Sequence, residues 1–200
     1  MPSTSQRRLA ILCLALLISG CSGLPLPSKD SAVTAQRGKG VDSALQRSYD
    51  AALQLLRQGE LETARREFQR LSDENPQISG PLTNIGIILL KLDDPVAAEK
   101  AILNALARNP ESAPAYNQLG VALRLQGRFP EAEQAYQTAV KLEPVYLLAH
   151  RNLGILYDLY LTKPEKALEQ SRLCQKLAEA PDKEIEGWIL DLERRVGAAK

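Results

Sequence analysis

The chain has 200 residues with 44% apolar and 24% charged side chains, a composition that fits one globular domain with a tail. Its formal net charge is +1, so there is no basic field that would recruit nucleic acid. No strand is evident in the sequence and no glycine-rich phosphate loop follows one, so a nucleotide-binding motif is not expected either.

Residues 1–20 have the layout of a secretory signal. Arg7 and Arg8 give a basic start, residues 9–18 form an apolar run too short to span a bilayer comfortably, and a small-residue cleavage site ends at Cys21. These features resemble a bacterial lipoprotein signal, in which the cysteine is acylated and becomes the first residue of the mature protein. The alternatives are an ordinary secretory signal with a chance cysteine, or a short membrane anchor.

The lipoprotein resemblance also implies a location and a redox state. Ser22 follows the cysteine, where an aspartate would resemble an inner-membrane retention signal, so the resemblance implies the periplasmic face of the outer membrane. Acyl chains on Cys21 would anchor the protein stably. Cleavage removes Cys13 and leaves Cys174 without a partner, so we expect no disulfide and a buried, inert thiol.

Residues 21–41 are predicted to form a flexible, lipid-linked tether. Pro25, Pro27, Gly38 and Gly40 stand among polar residues, and the segment has no apolar periodicity. A flexible chain of this length has an end-to-end distance of roughly 25 Å. The folded part would therefore lie close to the membrane but clear of the lipid head groups.

From residue 42 onward the pattern predicts a series of helix pairs, because apolar residues recur at steps of three and four between short turns. Asp42, and Asp93 or Asp94, are expected to cap helix starts, and Pro95 fits a first helical position. The fourth pair has a turn that is one residue longer. The first, second and fourth pairs are predicted at residues 43–57 and 61–73, 79–92 and 95–108, and 146–161 and 164–178.

The third pair, from Ala113 to Pro144, is the most complete unit. Gly127 can take the left-handed conformation that ends a helix, and Pro130 fits the first turn of the next helix. One face of each helix carries apolar or small residues three and four apart, at Tyr116, Leu119, Gly120, Leu123, Ala132, Tyr136 and Ala139.

The helix pairs repeat at a fixed interval of 34 residues, which is typical of stacked helical hairpins. The interval is carried by small residues and by a terminal proline, and Ala167 follows it with one residue inserted. Small residues at helix crossings allow close packing, and a larger side chain there would hold the helices apart. The repeated positions are Gly86, Gly120 and Gly154; Ala64, Ala98 and Ala132; and Pro76, Pro110 and Pro144.

These spacings and residue types resemble the tetratricopeptide repeat family. The third pair matches the family pattern at Tyr116, Leu119, Gly120, Leu123, Ala132, Tyr136, Ala139 and Pro144, and Phe68 supplies the second-helix aromatic of the first pair. The resemblance implies an all-α fold, a right-handed superhelix of four repeats within residues 42–181. The repeats are placed at about residues 45–78, 79–112, 113–146 and 147–181.

Residues 182–200 are predicted to form a capping helix that covers the last repeat, because their apolar residues share one face. Trp188 is then expected to be a packing anchor and not a platform for a ligand. The apolar face consists of Ile185, Trp188, Ile189, Leu192 and Val196.

Enzymatic chemistry is not expected. His150, the single histidine, stands where Tyr116 stands one repeat earlier, which favours a half-buried structural role over that of a catalytic base. With one histidine and one free cysteine, a zinc site lacks ligands. We therefore predict no catalytic residue, no metal and no cofactor.

The family resemblance implies a partner-binding groove on the first helices. One column of the groove is aliphatic throughout, which would suit an extended or helical apolar segment of a protein. Two alternatives remain: these aliphatics pack between adjacent first helices, or the tether or last helix occupies the groove. The groove positions are Tyr49, Leu53, Leu56, Thr83, Ile87, Leu90, Asn117, Val121, Arg124, Arg151, Ile155 and Asp158, of which Leu53, Ile87, Val121 and Ile155 form the aliphatic column.

Chaperone-binding members of the family clamp a peptide carboxylate with lysines and asparagines, but here those places are taken by Tyr49, Leu53 and Pro114. That activity is therefore not expected. In layout the chain is similar to the pilotin lipoproteins of type IV pili and to tight-adherence pilus lipoproteins. This similarity predicts a role in assembling an envelope machine, a pilus or a secretion system. The alternative is a scaffold for peptidoglycan hydrolases or for exopolysaccharide export.

Overall fold

The structure is a computed structural model that describes residues 43–198, so the predictions for the signal peptide, Cys21 and the tether lie outside the described residues. Every regular element in this range is helical. The α-helices are α1 Ser43–Gln58, α2 Leu61–Glu74, α3 Gly80–Lys91, α4 Pro95–Arg108, α5 Ala113–Leu125, α6 Phe129–Leu142, α7 Leu147–Ile155, α8 Pro164–Leu177 and α9 Lys183–Ala198, and α7 continues into a π-helical turn at Leu156–Tyr160.

The predicted all-α fold is confirmed, and the helix bounds predicted for the first, second and fourth pairs agree with the structure to within one residue. Local signals account for this agreement. The Asp94 carboxylate accepts a hydrogen bond from the Ala97 N–H at 2.9 Å, and Pro95 occupies the first turn of α4. The Ser112 hydroxyl oxygen accepts one from the Ala115 N–H at 3.3 Å. Each cap satisfies a backbone donor that the helix leaves unpaired.

The turn inside each helix pair contains one residue with positive φ. Gly59 and Gly127 have φ of 82° and 75°, as the predicted helix-ending glycine requires. Asp93, at φ 60°, serves the second pair at the same interval, and aspartate tolerates this conformation better than most residues.

In the fourth pair the positive-φ residue is Thr162, one position later than the 34-residue interval gives. The inserted residue is absorbed upstream of the turn, where the Leu161 N–H bonds to the Leu156 carbonyl at 3.0 Å, five residues back. The π-helical turn therefore lets an extra residue enter the repeat without displacing α8.

The helices within a pair cross at the predicted glycines. A Cβ placed on Gly120 would lie 2.5 Å from the Tyr136 ring, and one on Gly86 would overlap Cγ1 of Ile102. At Gly154 the nearest atom to an added Cβ is Cβ of Gln170, at 3.3 Å. Close helix approach therefore requires glycine in the second and third repeats, and the fourth repeat is less tightly packed at this point.

Successive pairs stack because the second helix of each packs on the first helix of the next. First helices also contact one another, α3 with α5 and α5 with α7. An ion pair recurs at two of these junctions, with its acids 34 residues apart and its bases 35 apart, the inserted residue included: Glu99 accepts from Arg128 at 2.8 Å, and Glu133 accepts from Lys163 at 2.9 Å. Buried side chains form an N-terminal core around Phe68 and a larger C-terminal core around Tyr136.

The predicted capping role of α9 is confirmed, since it packs on α8 as each earlier first helix packs on the second helix before it. Leu192 joins the C-terminal core, and Ile189 and Val196 pack against that core. The last helix thus takes the place of a fifth first helix and extends the stack. Among residues 43–198, no helix combines the length and apolar content that crossing a membrane requires.

Candidate partner-binding surface

The first column of predicted groove residues consists of Tyr49, Thr83, Asn117 and Arg151, the first such residue on each first helix. Two of its members join neighbouring first helices. The Tyr49 hydroxyl accepts from Nδ2 of Asn84 at 2.5 Å, and Oδ1 of Asn117 accepts from Nδ2 of Asn152 at 2.9 Å. In the column's second member, the Thr83 hydroxyl donates to the Ser79 carbonyl within α3. These polar groups fix the spacing of the first helices and are already bonded.

Five of the twelve predicted groove side chains are buried, so they offer little surface to a partner. Three of them belong to the N-terminal core, where Tyr49 also packs edge-on against Phe68 with the ring centroids 5.5 Å apart. These five residues do not line an open groove, so only the other seven remain candidates for contact with a partner. The five buried residues are Tyr49, Leu53, Leu56, Thr83 and Asn117.

Two of the remaining seven residues have their charges compensated by α9. Arg151 donates to Oε2 of Glu184 at 2.7 Å, and its guanidinium lies 5.5 Å from the Trp188 ring centroid. Asp158 accepts from Nη2 of Arg195 at 2.6 Å. Trp188 is thus half-buried against the last repeat, as the predicted packing role requires.

The other five groove residues remain partly exposed on adjacent first helices, and we call them the inner strip. Ile87 packs against the N-terminal core, while Leu90 and Val121 pack against the C-terminal core. Because α3, α5 and α7 follow one another in contact, the strip runs across three repeats. The inner strip consists of Ile87, Leu90, Val121, Arg124 and Ile155.

His150 has a structural position. Its side chain is 3% exposed, deeper than the half-buried state expected from the sequence. Nδ1 lies 2.7 Å from Oε1 of Gln170 and Nε2 lies 3.0 Å from the Pro144 carbonyl oxygen, so both ring nitrogens are engaged. The cavity beside His150, which Cys174 and Trp188 also line, measures about 10 Å³. It has room for a single water and not for a substrate.

Cys174, the single cysteine within residues 43–198, is buried, as predicted. Burial raises the pKa of its thiol to about 11, although Arg151 acts in the opposite direction. The thiol is therefore protonated at neutral pH and a poor nucleophile. No group of three potential metal ligands occurs in the described part of the chain.

The sequence did not predict the side chains of this protein that form hydrogen bonds with the first column. Asn84 and Asn152 each stand 35 residues after the side chains that they bond, one position more than the repeat interval. Tyr160, which accepts from Arg124, stands 36 residues after it. A search for polar pairs one or two residues beyond the interval would have found them, because these positions face back toward the preceding first helix.

The sequence also matches known proteins over its central part. A family model described as tetratricopeptide repeat matches residues 83–146 and 126–158. A tetratricopeptide repeat domain-containing protein of Arabidopsis thaliana, the chloroplastic PYG7, is 26% identical over 136 residues, which are 66% of this chain. The chain spans 44% of the length of that relative.

Solved structures share the fold along more of the chain. The structure of pilF from Pseudomonas aeruginosa superposes with a TM-score of 0.70 at 23% identity, covering 78% of this chain and 71% of that one. The first tetratricopeptide repeat domain of Spaghetti (RPAP3), bound to the HSP90 peptide SRMEEVD, superposes with a TM-score of 0.54 at 24% identity. The match covers 60% of this chain and 97% of that one. At these identities the likeness shows the fold alone. The family model therefore shows tetratricopeptide repeat sequence over residues 83–158, and the solved structures show a similar fold along more of the chain.

Proposed function

We propose that this protein binds a segment of another protein on its inner strip while held by a lipid at the periplasmic face of the outer membrane, and that it thereby assists assembly of an envelope machine. The tetratricopeptide repeat fold is a scaffold for protein–protein interaction. The observation that carries the proposal is the row of partly exposed aliphatics at Ile87, Leu90 and Val121 on touching first helices.

Aliphatic side chains in a row suit an apolar segment, extended or helical, that buries its own side chains against them. In the Spaghetti (RPAP3) domain, a protein with the same fold binds a peptide. Within residues 43–198, His150 and Cys174 are both buried, and both ring nitrogens of His150 are engaged, so neither side chain is available for catalysis. Binding, and not catalysis, is therefore the function that we propose.

The envelope role is supported by the sequence of residues 1–21, which resembles a lipoprotein signal, and by the likeness in fold to pilF. A pilus or secretion-system subunit is the partner class that we propose. A peptidoglycan hydrolase or an exopolysaccharide-export protein is the alternative partner class, and the identity of the bound protein distinguishes the two.

A photocrosslinking amino acid at Val121 tests the binding surface in intact cells. We expect it to capture a protein of the envelope, because Val121 is partly exposed at the centre of the inner strip. The matched control is the same crosslinker at Val96, an aliphatic on α4 that is 66% exposed. Equal capture from both positions, or none from Val121, would contradict the proposal. Mass spectrometry of the captured protein identifies the partner class.

Metabolic labelling with radioactive palmitate tests the anchor. The wild-type protein should incorporate label and fractionate with the outer membrane, because acyl chains on Cys21 bind it to the bilayer. Cys21→Ser should lose the label and leave that fraction, whereas Cys174→Ser should keep both properties. Labelling that persists in the Cys21→Ser protein would exclude the lipoprotein assignment.

A further inference from the structure

Arg124 in the inner strip lacks the partners that its burial calls for. It lies in the last turn of α5, is partly buried, and makes a single hydrogen bond within residues 43–198, from Nη1 to the Tyr160 hydroxyl at 3.1 Å. The guanidinium also lies 5.5 Å from the centroid of that ring. A guanidinium has five N–H donors, so most of its donors have no protein acceptor.

The other partly buried arginines of the described chain are satisfied. Arg108 donates to the Ser72 hydroxyl and to the Ile78 carbonyl, each at 3.0 Å. Arg128 is paired with Glu99 and Glu131. Arg151 is paired with Glu184. Arg124 alone among these four has neither a carboxylate within 4.0 Å nor a carbonyl acceptor.

A second unsatisfied group lies behind Arg124. The Tyr136 ring is buried at 0% exposure, and its hydroxyl makes no hydrogen bond of normal geometry; the polar group that interacts with it is the Arg124 guanidinium. Burial raises the pKa of Tyr136 to about 12 while the nearby Arg124 charge acts to lower it, so the hydroxyl and the guanidinium are close neighbours. Arg124 therefore faces two uncharged hydroxyls where a buried cation usually has an acid.

We propose that the missing acid comes from the partner: an aspartate or glutamate side chain in its apolar segment pairs with Arg124 while the aliphatics of the inner strip bind the segment's apolar side chains. This inference rests on the proposed function and names the chemistry of its partner. A carboxylate can take two parallel N–H donors of one guanidinium, which fixes the register of the bound segment. The residues of the chaperone-type clamp are absent from this chain, and Arg124 stands at a different position.

Charge argues for a separate protein and against the chain's own N-terminal segment as the occupant. After the proposed cleavage, residues 21–42 keep three basic side chains and two acidic ones, a net charge of the same sign as Arg124. The last turns of α1 and α3 add Arg57 and Lys91, both exposed and both without an ion pair in the described range. This end of the first helices therefore attracts acidic segments and repels basic ones.

The test uses the crosslinker at Val121 in the full-length protein in cells, combined with Arg124→Gln. We expect the yield of captured partner to fall about tenfold, because a charge-assisted bond to a partly desolvated carboxylate is lost. The matched control is Arg66→Gln on α2, a second helix, which removes an equal charge outside the inner strip and away from the basic ends of the first helices, and should leave the yield unchanged. Circular dichroism and thermal melting verify that both variants are folded.

A charge exchange provides the second measurement. Peptide mapping of the crosslink should locate an aspartate or glutamate near the captured residue of the partner. Replacing that acid with lysine should abolish capture by the wild type and restore it with Arg124→Glu, which a purely structural role for Arg124 would not do. Unchanged capture with Arg124→Gln, or a captured segment without an acid, overturns the inference and leaves the proposed function standing. Absence of any Val121 capture overturns both.

Discussion

Replacing Gly120 with alanine should lower the free energy of unfolding by about 2 kcal/mol, because the added methyl group overpacks the crossing of α5 and α6. The new Cβ would lie 2.5 Å from the Tyr136 ring. That ring is completely buried and cannot swing toward solvent. Alanine normally stabilises a helix by about 1 kcal/mol relative to glycine, and this gain is too small to offset the overpacking. Urea unfolding followed by circular dichroism measures the difference.

Gly187→Ala is the matched control for this prediction. Gly187 lies within α9, and an added Cβ there would have no atom within 4 Å. The same substitution should therefore raise the free energy of unfolding by about 0.5 to 1 kcal/mol through helix propensity alone. If both alanine substitutions stabilise the protein, the helix crossing at Gly120 has room for a methyl group and the prediction is wrong.

Replacing Ile87 and Val121 together with aspartate should abolish partner capture while helicity persists. Both side chains are partly exposed, on the touching helices α3 and α5, so each carboxylate can stay hydrated in the free protein. An apolar segment would have to bury these carboxylates in order to bind, and that desolvation is unfavourable by several kcal/mol. Co-purification of the crosslink-identified partner with the variant measures the loss.

The control for the double variant is Val96→Asp with Leu103→Asp. These two aliphatics lie on α4, a second helix, and are 66% and 48% exposed. They carry the same change in charge outside the inner strip, so capture should be retained. If the partner still binds the Ile87 and Val121 variant at wild-type level, the inner strip is not the binding surface. If the variant has lost helicity, Arg124→Gln distinguishes loss of binding from loss of fold.

The repeat architecture could be predicted from the sequence because its signals are local. Gly59 and Gly127 stop helices through their own backbone freedom, and Asp94 caps one through its own side chain. Gly120 reports a helix crossing only 16 residues from Tyr136, within a single repeat. The predictions for Cys21 and the tether were likewise made from local sequence, and they stay predictions.

The composition of the candidate site could be predicted only in part. Family positions placed Tyr49, Leu53 and Asn117 in a groove, but the structure buries them against neighbouring helices. In the aliphatic column, the side chains of Ile87 and Val121 pack against a core on one side and are partly exposed to solvent on the other. Whether a position is buried depends on side chains about 35 residues away, and a helical pattern carries no information about them.

The sequence by itself determined that this protein is a stack of helical hairpins with a 34-residue interval, because each turn, cap and helix face depends on residues that are close together in the sequence. Only the tertiary structure decided how the charges on the inner side are satisfied. It brought Glu184 and Arg195 of α9 to Arg151 and Asp158, and it left Arg124 beside uncharged hydroxyls. The physical reason is that ion pairing depends on which helices become neighbours, and α9 packs on α8 of the fourth repeat.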